Sequence, residues 1–262
     1  MTETLFVPGT PRIAVAVEGR GPLVLFLHGI GGNRNHWLQQ LGFFSRHGFK
    51  AAAWDARGYG DSDDYEGTLQ FDDFSADLLR TLEHLEEKRA HLVGLSMGGR
   101  IARNFALKYP KRVRTLTLAN TSPGFDALSP EEVLKFVDER RNRTAESTRR
   151  LLGSRASREA QEALLASFHA LRNGSYLKTL EASVAQDRAV PIENLEVPTL
   201  VISGDEDRVY PVALVRKMAQ RIRGAELVVL EQCGHLSNLE QPEGFNKVLL
   251  DYLRKSGSDP DS

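Results

Sequence analysis

Cysteine is almost missing from this chain. Its 262 residues hold one, Cys233, so no internal disulfide can form and the composition suits a reducing compartment. Net charge is almost missing as well: 34 basic against 35 acidic side chains leave −1, with an isoelectric point near 6.7. Such a balance gives no electrostatic footprint for nucleic acid or an anionic membrane surface. No apolar run approaches the roughly 18–20 residues of a membrane span. The opening Met1-Thr2-Glu3-Thr4 has neither the basic region nor the apolar core of a secretory signal, so a cytoplasmic protein is expected. Internal repeats are absent, and low complexity is confined to Lys255–Ser262, a tail expected to fray. The histidines and the single cysteine lack zinc-ligand spacing, so neither a metal nor an organic cofactor is expected.

What is present begins with Val93-Gly94-Leu95-Ser96-Met97-Gly98-Gly99. Ala90-His91-Leu92-Val93 before it reads as a short buried strand. Arg100–Leu107 after it reads as a helix that stops before Pro110. Gly94-x-Ser96-x-Gly98 in that strand-turn-helix context is a nucleophile elbow. A strand can turn so sharply into a helix only where no Cβ atoms collide, and the two glycines remove them. Ser96 is left at the tip, and the helix N-terminus points at whatever it attacks. The bland alternative, a glycine-rich turn with an incidental serine, is decided by the neighbouring motifs.

Strands and helices alternate along the rest. Leu5-Phe6-Val7 and Arg12–Glu18 suggest an antiparallel hairpin at a sheet edge, and Leu23–Leu27 is apolar throughout, as a strand covered on both faces should be. That strand ends in His28-Gly29-Ile30-Gly31-Gly32. The spacing is not that of a dinucleotide-binding loop. The sharper reading is that glycines let the backbone approach a reaction centre, so that the N–H groups of Ile30 and Met97 can hold an oxyanion. Lys50–Trp54 reads as the next strand and Asp55–Ser62 as its turn. Phe71, Phe74, Leu78, Leu82 and Leu85 form one apolar helix face. Val113–Ala119, Pro198–Ser203 and Glu226–Leu230 complete eight strands, implying a mainly parallel sheet wound by helices on both faces.

Between about Ser122 and Glu196 the rhythm is only helical. Ser129-Pro130-Glu131-Glu132 is a helix start, and Ala160, Ala163, Leu164, Phe168 and Leu171 mark an amphipathic face closed by Asn173-Gly174. The expected organisation is a core of residues 1–121 and 197–255, a helical lid over 122–196 and a flexible tail over 256–262. Seven arginines, at 140, 141, 143, 149, 150, 155 and 158, stand against one acid, Glu146. Such a run reads first as a solvated helix face, with a carboxylate-binding role for one arginine as the sharper alternative.

Asp205 and Asp207 lie in a loop at the carboxyl end of a strand, where open α/β sheets keep functional residues, and both are candidate acids. Among seven histidines, His84 falls on a charged helix face and His91 within a strand. His36, His47 and His169 lack a partner acid at suitable spacing, and His28 belongs to the glycine loop, which it orients by hydrogen bonding. His235 follows the last strand beside Gly234, which lets its loop fold over the site. Serine, acid, then histidine, each on a loop after a strand, is the order of the α/β-hydrolase triad. The chain resembles the α/β-hydrolases over nearly its whole length, through His28-Gly29-Ile30-Gly31, Gly94-Leu95-Ser96-Met97-Gly98-Gly99, Gly204-Glu206-Asp207-Pro211 and Gly234-His235. The family pattern places its acid on Asp207. Within the family the chain is similar to compact lidded hydrolases that include oxoadipate enol-lactonases, with Leu118-Ala119-Asn120-Thr121 and the lid length in support.

The resemblance implies the α/β-hydrolase fold and a serine esterase or lactonase with a Ser96–Asp207–His235 triad acting on a small-molecule substrate. Ser96 argues against the dehalogenase branch, which carries aspartate as nucleophile. Relatives that hydrolyse carbon–carbon bonds often read G-N-S-M-G-G, and Leu95 replaces that asparagine here. Cleavage of a dienol-diketone acid therefore stands as the alternative, beside a slow-turnover binding protein that keeps the triad.

Overall fold

In a computed structural model, which describes residues 2–125, 128–186 and 191–256, eight strands form one sheet in the order β1-β2-β4-β3-β5-β6-β7-β8. The strands are β1 Glu3–Val7, β2 Ile13–Gly19, β3 Leu23–Leu27, β4 Lys50–Trp54, β5 Ala90–Leu95, β6 Val113–Ala119, β7 Thr199–Gly204 and β8 Glu226–Leu230. β1 and β2 are the expected edge hairpin, and β2 pairs antiparallel with β4. All later pairings are parallel. The α/β-hydrolase fold inferred from the sequence is the fold observed.

Side-chain alternation along β3 shows why a wholly apolar strand was required. Leu23, Leu25 and Leu27 enter one core, and Val24 and Phe26 enter the other. Helices α2 (Phe71–His84), α3 (Met97–Lys108) and α8 (Val212–Arg221) cover the first face. Helices α1 (Leu38–Arg46) and α10 (Pro242–Ser256) cover the second. The five apolar residues from Phe71 to Leu85 are all buried, as their three-to-four spacing demands. Chain order reverses at β3: β4 lies on one side and β5 on the other. Open α/β sheets bind ligands outside the carboxyl ends of the strands at such a reversal, and the glycine loop and Ser96 emerge at those ends of β3 and β5.

Among the described residues four α-helices stand between β6 and β7: α4 Pro130–Arg141, α5 Ala145–Arg149, α6 Arg158–Ala170 and α7 Asn173–Gln186. The start of α4 follows the sequence closely. Ser129 Oγ accepts from the Glu132 amide at 3.2 Å, and the Glu132 carboxylate accepts from the Ser129 amide at 2.7 Å. The far end of α6 differs from expectation. Leu171 leaves the helix in an extended conformation, so α6 stops at Ala170, and Asn173-Gly174 open α7 instead of closing α6. Helix α9 (Ser237–Glu240) lies between the His235 loop and α10. The expected tail is also shorter than its composition suggested, because α10 runs through Ser256; residues 257–262 lie outside the described residues.

Candidate active site

Ser96 occupies the turn between β5 and α3 with φ 54° and ψ −115°, a conformation that costs a non-glycine residue roughly 1–3 kcal/mol. The surrounding backbone holds it there. Its N–H donates to the Ala119 carbonyl at 2.9 Å, and its own carbonyl accepts from Gly99, Arg100 and the Thr121 hydroxyl. The flanking glycines are required by contact. A Cβ on Gly94 would sit 2.2 Å from the Gly98 carbonyl oxygen, and one on Gly98 would sit 2.1 Å from that of Leu27.

The glycine loop after β3 passes over this serine. A Cβ on Gly29 would lie 3.3 Å from the Ser96 Cβ. His28 fixes the loop: its Nε2 accepts from the Ala56 amide at 3.0 Å, which leaves Nδ1 to donate to the Gly29 carbonyl at 2.7 Å. Burial pulls the His28 imidazolium below its ordinary value, so the ring is held neutral. Met97 is the first residue of α3, where a helical amide has no partner within its helix. Among the described residues neither the Ile30 nor the Met97 amide makes a hydrogen bond.

Asp207 and His235 meet directly, with Nδ1 2.9 Å from Oδ2. The same carboxylate oxygen accepts from the Asn120 amide at 3.1 Å, and Oδ1 accepts from the backbone amides of Val209 and Tyr210. Burial, the largest single influence, pushes the Asp207 carboxyl upward. The combined pull of His235, the Tyr210 amide and Asn120 outweighs it and holds the group below its ordinary value. A carboxylate with four donors puts the shared proton on Nδ1 and leaves Nε2 as the basic nitrogen. Asp205, the other candidate acid, is exposed and accepts from the Cys233 amide instead.

Sequence reasoning missed the residues that hold these parts together. Asn120 is fully buried at φ 46°; its side chain donates to Asp207 and to the Gly234 carbonyl and accepts from Ser237. It directly follows Ala119, the residue that binds the Ser96 amide, so one peptide step joins the elbow to the acid–histidine pair. Its signal was an asparagine just past a strand end, where left-handed backbone favours that residue. Glu240 gave no signal. Its carboxylate accepts from the amides of Gly153, Gly234 and Leu236, flanking His235 on both sides, while the His235 amide donates to Leu151. Gly234 is packed against Gly153, so the histidine loop folds under the inserted helices.

The structure thus joins Asp207 to His235, and Ser96 to the glycine loop. Among the described residues the Ser96 hydroxyl makes no hydrogen bond, so its link to His235 Nε2 is not formed here. His91 bonds Thr115 within the sheet, His47 bonds Phe43, and His36 bonds Ser167 of α6. Three of the seven arginines form the solvated face expected of them, pairing Arg141 with Glu181, Arg150 with Glu146 and Arg158 with Glu162. Burial drives the Cys233 thiol far above its ordinary value, which keeps it inert. No cluster of His, Cys, Asp and Glu able to hold a metal occurs among the described residues. No helix among them is long and apolar enough to cross a membrane.

Known proteins resemble this chain in sequence and fold. The profile of the Alpha/beta hydrolase family matches residues 24–248. A 2-hydroxy-6-oxononadienedioate/2-hydroxy-6-oxononatrienedioate hydrolase of Paraburkholderia phymatum is 32% identical, the match covering 90% of this chain and 88% of the relative. The 3-oxoadipate enol-lactonase 2 of Acinetobacter baylyi is 29% identical over 89% of each chain. The crystal structure of the enol-lactonase from Burkholderia xenovorans LB400 superposes with a TM-score of 0.85 at 25% identity, covering 96% of this chain and 100% of that one.

Proposed function

This chain belongs to the alpha/beta hydrolase family and is a hydrolase, and from that footing we propose that it cleaves a carboxylic ester or enol-lactone of a small molecule through an acyl-enzyme. Ser96 is the nucleophile. A serine hydroxyl attacks only if a base takes its proton as the bond forms, and His235 Nε2 is that base. Asp207 keeps the imidazole in the required tautomer and stabilises its charged form. Attack on the carbonyl carbon gives a tetrahedral oxyanion, held by the Ile30 and Met97 amides; each such donor contributes about 3–4 kcal/mol to the transition state. The imidazolium then protonates the leaving alkoxide or enolate as its bond to carbon breaks. A water deprotonated by His235 attacks the acyl-enzyme and frees Ser96.

The observation that carries this reading is the saturated Asp207 carboxylate bonded to His235 Nδ1. The substrate reaches the site beneath helices α4–α7, which we assign as the lid, and one cysteine suits action in the cytoplasm. No cofactor enters these steps.

Release of p-nitrophenol from short acyl esters, beside a panel of lactones and enol-lactones, tests the proposal. Turnover that falls at least 10³-fold in Ser96→Ala, with melting temperature unchanged, supports it. Near-zero release from every ester and lactone overturns it in favour of a slow-turnover binding protein. A second reading has the same residues hydrolyse a carbon–carbon bond of a dienol-diketone acid; the 32% identical relative is named as a hydrolase of 2-hydroxy-6-oxononadienedioate. Activity on a dienol-diketone acid with inertness toward simple lactones would replace the first reading by the second.

A further inference from the structure

Glu240 carries a carboxylate into the interior with no cation to meet it. The residue is 7% exposed, and no basic side chain lies within ion-pair distance of it among the described residues. Three backbone amides take the place of a cation. Oε2 accepts from Gly153 at 2.7 Å and from Gly234 at 2.9 Å, and Oε1 accepts from Leu236 at 2.9 Å. An ionised carboxylate has two oxygens and no donor, so it can take all three; a neutral side-chain amide cannot. Without those donors a charge at this depth would be strongly destabilising, so the charge and the approach of the amides depend on each other.

The donors come from two separate parts of the chain. Gly234 and Leu236 flank His235, whereas Gly153 belongs to the connection between α5 and α6, 87 residues from Glu240. The His235 amide itself donates to Leu151 of that same connection at 2.7 Å. The two backbones touch: a Cβ on Gly153 would lie 2.6 Å from the Gly234 nitrogen, and one on Gly234 would lie 2.4 Å from the Gly153 nitrogen. Asp207 holds the imidazole by Nδ1, and Asn120 holds the Gly234 carbonyl. That leaves the amide edge of the histidine turn to Glu240 and Leu151. Glu206 provides a contrast. Its carboxylate grips the same connection through the Ser154 amide and hydroxyl, yet among the described residues its side chain bonds nothing in the histidine turn.

We propose that Glu240 is a positioning residue for the general base: it locks the His235 turn to the α5–α6 connection, so that the inserted helices set where Nε2 stands relative to Ser96. This deepens the serine-hydrolase reading and rests on it for the identity of the base. Proton transfer tolerates little error in distance, and a misplacement of about 1 Å costs on the order of 10²-fold in rate. The α5–α6 connection therefore cannot swing aside without carrying the histidine with it.

Two variants approach the lock from opposite sides. Glu240→Gln keeps the size but sets its NH₂ against at least one of the three amides, and Gly153→Ala drives a Cβ into Gly234. Each should lower kcat on p-nitrophenyl acetate about 30-fold with KM within roughly threefold of wild type. Glu206→Gln, whose amide can still bond both Ser154 groups, should keep kcat within roughly threefold. Thermal melts show that the assayed protein is folded, and if one variant fails to fold the other decides. Loss mainly through KM, an unchanged kcat, or an equal loss in Glu206→Gln overturns the assignment. Nitrogen NMR of isotope-labelled histidine, with the His235 signals assigned by His235→Gln, is a readout independent of turnover. Wild type should show the Nδ1–H tautomer and both lock variants a mixture of the two. That change supports the lock even if no ester is cleaved, in which case the ester reading alone fails. A tautomer unchanged in both variants overturns the lock even where esters are cleaved.

Discussion

Replacing Asp207 by asparagine perturbs the site at its most crowded carboxylate. Each oxygen accepts two hydrogen bonds: Val209 and Tyr210 amides on Oδ1, Asn120 and His235 on Oδ2. An asparagine has one carbonyl oxygen. If that oxygen keeps the two backbone donors, its NH₂ faces the Asn120 amide and the His235 N–H. The imidazole escapes only by moving its proton to Nε2, the tautomer that cannot accept one from Ser96. If the asparagine flips, its NH₂ meets the two backbone amides instead. Both arrangements set donors against donors, and the first also removes the base. Loss of the correct tautomer costs about 10⁴-fold in kcat, or roughly 5 kcal/mol. Asp205→Asn is the internal control: exposed, with one amide from Cys233 that an asparagine oxygen can still accept, it should change the rate by less than about threefold. The assay is ester hydrolysis with thermal melts in parallel. The lowered Asp207 carboxyl stabilises the fold above the unfolded-state value, so a modest drop in melting temperature is expected too. Asp207→Asn within tenfold of wild type, or Asp205→Asn as the more damaging change, would refute the reasoning.

Acid should loosen the contact between the loop after β3 and α6. Burial and the nearby His28 pull the His36 imidazolium from 6.5 to about 4, so the unfolded chain binds more protons than the folded one between those values. Stability therefore falls with pH across that window, by about 2 kcal/mol between pH 7 and pH 5 from this group. Urea midpoints of His36→Gln should lose that much of their pH dependence; an unchanged dependence sinks the idea. Gly98→Ala should lower both melting temperature and kcat, because its Cβ meets the Leu27 backbone at 2.1 Å, whereas Gly174→Ala, with open space around it in α7, should be neutral or stabilising. Equal melts for the two variants would show that the elbow tolerates the intrusion.

The elbow was legible because its requirement is an absence: only glycine clears the Gly98 and Leu27 carbonyls, and absence of a side chain is visible in sequence. The sheet was legible for a similar reason, since β3 must be apolar on both faces and α2 on one. Asp207 was separable from Asp205 only by resemblance. Both follow β7, and their difference is which side chain turns into the sheet end, a matter of two residues of loop geometry. Asn120 and Glu240 act across 87 residues or more of chain, on Asp207 and on Gly153, and no local pattern encodes such pairings.

Covalent trapping tests the nucleophile most directly. Wild-type protein quenched during turnover of p-nitrophenyl acetate, or treated with a fluorophosphonate, is digested and mapped by peptide mass spectrometry. A single adduct on Ser96, forming at least 10³-fold more slowly in His235→Ala, is the expected result. Rapid ester turnover with the adduct elsewhere, or formation on Ser96 at an unchanged rate without the imidazole, would contradict it.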